Sequence, residues 1–407
     1  MSAPASAVMA DPADHSRPPE DGRASIRDWS SSSPQNGTAA ERLTDDLLVE
    51  ILSRVPAKSL CRFKCVSNHW LCLIDHPDHR KKLPQTLAGF FYTSRSEPFL
   101  ESHVRFVSVP GSHNPLIDTS FAYLPKHEHI YVLDCCNGLL LYGLYAQEIS
   151  YIVCNPATEK WVTLPNSGQA AEQVVATCLC FDPDKSPHFH VFEFVEEEGD
   201  WTSYLAGVAV YSSETRRWVY MEKKWNGLAC RASTETVFLN GHLYFHSIDR
   251  ELSSCCITMV DTEGETWMNF IVPDDDSGLA DGFIQCSQGR LHYVNFYRDE
   301  NEDEDDGVIR LEVYVLENCE SKEWKLKHIA ETSDLFGEKD VDVGLEFEWF
   351  AIHPECNLVF FTVGKDITLM CYNMDSRQVQ VIRNLEDGKL PFLPYVPLYA
   401  ELQSLHM

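Results

Sequence analysis

A small all-α module followed by an all-β propeller of about six blades is the fold this sequence predicts, and three observations predict it. Between Leu43 and Lys82, apolar residues recur at helical spacing in short runs broken by proline. From about Pro84 the pattern changes to short strands rich in aromatic and β-branched residues, split by Asn-Gly, Asp-Pro and proline-containing turns. Four similar strand–turn–strand segments end in Trp161, Trp218, Trp267 and Trp324, at steps of 57, 49 and 57 residues. A period near fifty with several short strands per copy marks the blades of a propeller, kelch-like by its length.

The elements follow in chain order. Residues 1–40 are rich in Ala, Ser, Pro and Asp, show no periodicity, and are expected to form a disordered tail. Residues 41–83 form the helical module. Thr44 is suited to cap its first helix, and Asp45 and Asp46 place negative charge where the helix dipole favours it. Leu47, Leu48, Ile51, Leu52 and Val55 then make one apolar stripe. Pro56 cannot continue a helix interior, so that helix is expected to stop near Val55. A second fits Ala57 to Val66, with Leu60, Phe63 and Val66 on one face. Ser67 is placed to cap a third, carrying Trp70, Leu73 and Ile74 up to Pro77. About forty residues cannot bury all of these side chains in one core. Some are expected to meet a partner, at roughly 1.5–3 kcal/mol per large side chain buried. The module reads as a docking surface.

Order and spacing then carry a resemblance. Leu43, Asp45–Asp46, Ile51–Leu52, Val55–Pro56, Leu60, Val66–Ser67 and Trp70 stand where the F-box pattern has its fixed residues, and the wording resembles the F-box of the large plant class. Thr44 departs from it, since the family usually has proline there. The competing reading is an ordinary amphipathic helical hairpin inside a larger domain. The F-box resemblance implies contact with a Skp-type linker, and through it a cullin–RING ubiquitin ligase. The implied contact residues are Leu43, Thr44, Leu47, Ile51, Leu52, Val55, Pro56, Leu60 and Trp70, some of which should instead be internal core.

Residues 84–407 hold the strand repeats. The first recurring unit is a strand, a short polar turn and an aromatic residue: Tyr151 to Trp161, Val208 to Trp218, Ile257 to Trp267 and Val313 to Trp324. A fifth copy, Met370 to Val379, lacks the tryptophan. A second unit precedes these at Asn137-Gly138, Asn240-Gly241, Gln288-Gly289 and Asn357. Each copy reads as a four-stranded antiparallel sheet that must stack on its neighbours to bury both faces. A pair of β-sandwiches is the competing architecture. The region resembles the F-box-associated β domain of plant F-box proteins, in the Asn-Pro-x-Thr-x-x-Trp element from Asn155 to Trp161 and in the closing stretch 391–405.

The chain holds 33 Lys and Arg against 62 Asp and Glu, and residues 84–407 carry a net −29 by themselves. Such a field disfavours nucleic acid and anionic membrane as partners and would steer a basic protein surface toward it, although solubility alone also accounts for it. Fifteen cysteines without a signal-peptide pattern read as reduced thiols, mostly small buried hydrophobes, in a cytoplasmic or nuclear protein. No segment approaches the length of a transmembrane helix.

Candidate chemistry is sparse. The acidic run Asp299 to Asp306 reads as a hairpin loop, or as an acidic finger for a basic peptide. Asp274–Asp276 and Glu196–Glu198 read as turn acids. His127 with His129, and His188 with His190, have ligand types at strand spacing but no third ligand nearby, so no metal or other cofactor is expected. The sequence carries no GxSxG, P-loop, HExxH or GxGxxG pattern in a supporting context. Phe121, Tyr123, Trp201, Tyr204, Trp225 and Trp349 fall in or near connections and are candidate hot spots or core; Arg216, Arg217 and Arg231 would have to cluster for an anion to be read.

The expected function is that of a non-catalytic adaptor: the F-box holds the linker and the propeller holds a protein substrate. Two other classes remain open at this stage. One is a propeller enzyme or small-molecule receptor coupled to the F-box; the other is an F-box scaffold that does not ubiquitylate.

Overall fold

The computed structural model describes residues 43–405, except 56, 81, 84, 95–103, 111–117, 126–129, 146–148, 199–202, 223–227, 231–235, 250–253, 274–281, 299–308, 319–321, 338–346, 365–366 and 386–387. The tail at 1–40 and the acidic runs at 299–306 and 274–276 therefore lie outside the described residues.

Four short helices follow from the spacing of apolar residues and the breaks between them: α1 Asp45–Leu52, α2 Ala57–Phe63, α3 Asn68–Asp75 and α4 Pro77–Arg80. Ser67 caps α3 as expected, its Oγ accepting the Trp70 N–H at 3.2 Å. α2 ends three residues short of Val66, because Lys64 to Val66 close as turns. Leu48, Val49, Leu52, Leu60, Leu73, Ile74 and Leu83 form the core, and Phe63 and Trp70, edge-to-face with each other at 5.4 Å, pack against it. Lys64 pairs with Asp75 at 3.0 Å and ties the end of α2 to α3.

The strands form six antiparallel sheets, in agreement with the expected blade number and not with a pair of sandwiches. Blade 1 holds β3 Ile130–Cys136, β4 Leu139–Tyr145, β5 Ile149–Asn155 and β6 Lys160–Thr163. Blade 2 holds β7 Val174–Cys180, β8 His190–Glu198, β9 Ser203–Ser212 and β10 Arg217–Glu222. In blade 3, β11 Leu228–Cys230 and β12 Thr236–Leu239 share one edge of β13 His242–Asp249, followed by β14 Ser254–Asp261 and β15 Trp267–Ile271. Blade 4 holds β16 Phe283–Ser287, β17 Arg290–Arg298, β18 Ile309–Asn318 and β19 Glu323–Glu331. The short helix α5 Thr332–Phe336 leads to blade 5, with β20 Phe347–Ile352, β21 Leu358–Val363, β22 Thr368–Asn373 and β23 Gln378–Asn384. Blade 6 joins both ends of the sheet region: β24 Gly388–Tyr395 pairs with β1 Gly89–Ser94, which pairs with β2 Val104–Ser108. Its strand order puts β24 innermost, against β3 on one side and β20 on the other, and this closes the ring.

Every blade buries its faces against its neighbours, so the core consists of six seams. Between blades 1 and 2, for example, Leu139, Leu141, Tyr151 and Val153 meet Leu179, Phe181, Phe189 and Val191. The first recurring unit of the sequence is the hairpin between the third and fourth strand, and its tryptophan wedges into the seam with the preceding blade. Trp218 lies against Tyr151 and donates its indole N–H to the Pro165 carbonyl at 2.7 Å. Trp324 donates to the Ile271 carbonyl at 3.1 Å, and Trp267 packs edge-on against Phe194. Trp161 joins the seam between blades 6 and 1. Val379 takes the same place in blade 5.

The second recurring unit is the turn between the first and second strand. Asn137, Asn240 and Gln288 have φ of 45°, 56° and 52°, each followed by a glycine with positive φ, as the tight turns that suit twisted hairpins require. These turns also stitch blades together: Asn137 Nδ2 donates to the Phe181 carbonyl at 2.7 Å, and Gln288 Nε2 donates to Asn357 Oδ1 at 2.8 Å. The inner strands of blades 1 and 2 are clamped by a carboxylate. Asp134 Oδ2 accepts the Leu179 N–H and Oδ1 accepts the Cys135 N–H, both at 2.7 Å. Burial nevertheless pushes this carboxyl up to about 6, the two N–H bonds only limiting the rise. After β24 the chain crosses blade 1, where Asn155 Nδ2 donates to the Leu398 carbonyl at 2.9 Å, and Leu402 and Leu405 enter the seam between blades 1 and 2.

Two predictions follow. Gly138 has φ +90°, and a Cβ there would sit 2.5 Å from Leu398 Cβ and 2.8 Å from the Val396 carbonyl. Gly138→Ala should therefore cost about 2–3 kcal/mol in urea unfolding by lifting the C-terminal segment off blade 1; an unchanged midpoint would show that this segment contributes little. The second concerns pH. His292 is buried, its Nδ1–H donates to the Arg290 carbonyl at 3.1 Å, and Nε2 faces Lys327 Nζ at 3.0 Å. Desolvation, with help from Lys327, lowers its pKa to about 4. The unfolded chain thus binds more protons than the folded one between about 4 and 6.5, so this histidine makes stability rise with pH across that window. Asp134 acts in the opposite sense, stability falling as pH rises from 3.8 to about 6. Melting temperatures from pH 4 to 7 should become less pH-rising in His292→Gln and less pH-falling in Asp134→Asn.

Candidate functional site

The helical module divides its apolar residues between core and surface, and that division defines the site. Within α1 the expected single stripe splits. Leu48, Val49 and Leu52 point into the core, while Leu47 and Ile51, one turn apart, are 53% and 51% exposed. Leu43, just ahead of α1, is exposed, as are Thr44 and Val66. Val55 and Trp70 are half-buried, and Leu52 and Leu60 are internal at 1% and 3% exposure. Pro56 lies outside the described residues. Of the nine residues expected at the linker contact, four are thus exposed, two half-buried and two internal, and Pro56 is not described. Val66 is 62% exposed; helical spacing had put it on one face with Leu60 and Phe63, but it lies beyond the end of α2.

The surroundings of α1 are polar. Asp45 lies 3.1 Å from His69 Nε2, joining the start of α1 to the start of α3, and Arg54 pairs with Glu50 at 2.5 Å across one turn. Two large aliphatic side chains thus project from a short helix whose first turn is acidic. Holding such groups in water is unfavourable, and it is relieved by burial against another protein.

The other candidates fare differently. Phe121 and Tyr123 are packed into the seam between blades 6 and 1, and the Tyr123 hydroxyl contacts Cys154 Sγ at 3.9 Å. They are core, not binding loops, because the segment before β3 folds back over β4 and β5. Trp201, Trp225, Arg231, His127 and His129 lie outside the described residues; Tyr204 and Trp349 fall within β9 and β20. His188 and His190 flank Phe189, which is fully buried, and burial holds the His190 imidazole below its ordinary value. Among the described residues, no three His, Cys, Asp or Glu side chains are placed to hold a metal ion. Glu196 to Glu198 are strand residues of β8 paired with β9, not the turn that three consecutive acids had suggested; Glu196 is half-buried and Glu197 exposed. The cysteines whose side chains are described are free thiols, and burial pushes those of Cys154 and Cys371 up to about 12, which makes them poor nucleophiles. No described helix is long and apolar enough to cross a membrane.

Comparison with known proteins identifies the helical module and the ring of sheets. Residues 41–82 match the F-box domain model, and residues 90–389 match the model of the F-box associated beta propeller domain. F-box protein At5g07610 of Arabidopsis thaliana is 28% identical over 321 residues, covering 72% of this chain and 71% of the relative. F-box protein At3g57590 of the same plant is 24% identical over 321 residues, covering 70% of each chain. F-box protein At5g65850, also from Arabidopsis thaliana, is 23% identical and covers 73% of each. With the helical module, the six-bladed ring and the family match over most of its length in agreement, this chain belongs to the F-box proteins that carry an F-box-associated β-propeller.

Proposed function

We propose that the chain is the substrate-recognition adaptor of an SCF (Skp–cullin–F-box) ubiquitin ligase, acting in the cytoplasm or nucleus. Residues 41–83 would bind a Skp-type linker, and residues 84–407 would hold a protein substrate. The observation that carries this reading is the pair Leu47 and Ile51, exposed on α1 of a module that matches the F-box. Their aliphatic surface is what a linker groove would cover, with the internal residues Leu52 and Leu60 holding α1 in place beneath them.

An adaptor of this kind performs no bond chemistry of its own. It raises the effective concentration of substrate lysines near the ubiquitin thioester carried by the rest of the ligase. A closed ring of seams suits that role, because it fixes the distance between the substrate surface and the ring's own framework. The net −29 of the propeller region favours a substrate with a basic surface.

The test separates surface from core. Leu47→Asp with Ile51→Asp should leave the melting temperature close to that of the wild type while weakening binding to a purified plant Skp-type linker by more than about a hundredfold, since two buried aliphatic contacts are lost and two carboxylates desolvated. Leu52→Asp should instead disrupt the helical module itself. Undiminished linker binding by the folded double variant would sink the assignment of this face.

A further inference from the structure

Two hairpins of the ring are the same turn in different surroundings. Asn137-Gly138 in blade 1 and Asn240-Gly241 in blade 3 are two-residue loops, closed by the pairs Cys136–Leu139 and Leu239–His242. Their backbones nearly coincide, with φ of 45° and 90° in the first and 56° and 84° in the second. Asparagine before glycine carries a reaction of its own. The glycine nitrogen is held close to the asparagine Cγ by the chain itself, so attack is intramolecular, and glycine has no Cβ to obstruct it. With the backbone in common, the surroundings decide which turn reacts.

In blade 1 every group that the reaction needs is engaged. Asn137 Nδ2, the leaving nitrogen, donates to the Phe181 carbonyl at 2.7 Å. The Gly138 N–H, which must lose its proton to become the nucleophile, donates to the Cys135 sulfur. Gly138 is also buried beneath the C-terminal segment, where a Cβ would sit 2.5 Å from Leu398 Cβ and 2.8 Å from the Val396 carbonyl. Blade 3 differs at each point. The residue two before its asparagine is Phe238, which offers no lone pair to the Gly241 N–H. A Cβ at Gly241 would meet no described atom within 4 Å, and Asn240 is exposed.

The Asn240 side chain is held by its oxygen and not by its nitrogen. Lys185, in the first loop of blade 2, donates from Nζ to Asn240 Oδ1 at 3.1 Å. An ammonium on that oxygen draws electron density from Cγ. It also faces the negative charge that develops on Oδ1 as a nucleophile adds. The contact that joins blades 2 and 3 here therefore activates the amide, whereas the contact that joins blades 1 and 2 at Asn137 restrains it.

We propose that Asn240 is a site of self-modification, at which the chain's own backbone converts the side-chain amide to an acid with the help of Lys185. In the first step the Gly241 nitrogen bonds to Asn240 Cγ and the Cγ–Nδ2 bond breaks. The proton of the Gly241 N–H goes through solvent to the departing nitrogen, ammonia is released, and a five-membered imide remains. In the second step water adds to one imide carbonyl. Breaking the bond from Cγ to the Gly241 nitrogen leaves aspartate. Breaking the bond from the main-chain carbonyl carbon to that nitrogen leaves isoaspartate. Nothing is oxidised or reduced, and water is the one co-reactant. Either product places a carboxylate beside Lys185 and turns a neutral contact between blades 2 and 3 into an ion pair. The isoaspartate also lengthens the main chain between Leu239 and His242, the pair that closes the hairpin.

The test is to age the folded full chain in mildly alkaline buffer, digest it with trypsin and follow the peptides by mass. Peptide 232–250 contains Asn240 as its single asparagine. Peptide 127–160 contains Asn137 together with Asn155, which precedes Pro156 and so has no N–H to attack it. Conversion adds about 1 Da and should give two chromatographic isomers of peptide 232–250. It should run at least about tenfold faster at Asn240 than at Asn137. Lys185→Met should slow it at least about threefold with an unchanged melting temperature, and Lys185→Arg, which keeps the charge, should not. The proposal is overturned if Asn240 keeps its mass, or if both asparagines convert at one rate. It is equally overturned if Lys185→Met converts as fast as the wild type, or if Lys185→Arg is slowed as much as Lys185→Met. The readout is a mass, so neither result bears on the adaptor reading.

Discussion

Everything in the propeller depends on one constraint: a four-stranded sheet has two apolar faces and cannot bury either alone. Phe192 and Phe194 lie on one strand of blade 2 with their burial supplied by blade 3, while Phe189 and Val191 are covered from blade 1. No blade is a domain in its own right, and stability is shared through nearest-neighbour seams. In an open row the two end blades would each expose a face. Pairing β24 with β1 removes both exposures at once, so closure of the ring is worth a full seam of buried aromatic surface and not merely one strand's hydrogen bonds.

The sequence repeats that made the fold legible are the contacts that serve this constraint. The tryptophan spacing is visible because each copy places the same wedge in the same kind of seam, and the Asn-Gly pairs are visible because each turn needs positive φ at two positions and reaches an adjacent blade. The start and end of α3 in the F-box module were equally readable, as its Ser67 cap shows. What escaped the sequence was of another kind. Blade 6 combines strands almost three hundred residues apart, so no local copy announces it. The split of α1 into Leu48, Val49 and Leu52 inside, with Leu47 and Ile51 outside, depends on where α3 packs, and a periodic stripe cannot say where its own edge falls. Asp134 looked like any strand acid until the neighbouring blade supplied the Leu179 N–H.

The same logic limits where recognition can reside. Seam positions are committed to packing: Phe121 and Tyr123, attractive as loop aromatics, are core because the seam between blades 6 and 1 needs them. Surfaces free of that duty are the outer strands, where Val219, Tyr220, Leu326, Ile329 and Val381 remain exposed, and the connections between strands. Packing and binding draw on the same residue types, so only the seam arithmetic tells an anchor for a partner from an anchor for the neighbouring blade.

That arithmetic meets its hardest case where the ring closes. A ring closed by its own two ends needs a strand from each end in the same blade, and here the C-terminal end supplies the innermost strand while the N-terminal end supplies the next two. Hydrogen-bond closure is thereby complete on the inner side, where β24 contacts both β3 and β20. On the other side of β24, β1 and β2 carry the sheet outward, and Phe90 and Val107 meet Phe360 and Leu369 of blade 5 in the last seam. The pairing that closes the ring therefore joins Gly89–Ser94 to Gly388–Tyr395, almost three hundred residues apart, and one seam of buried aromatic surface depends on it.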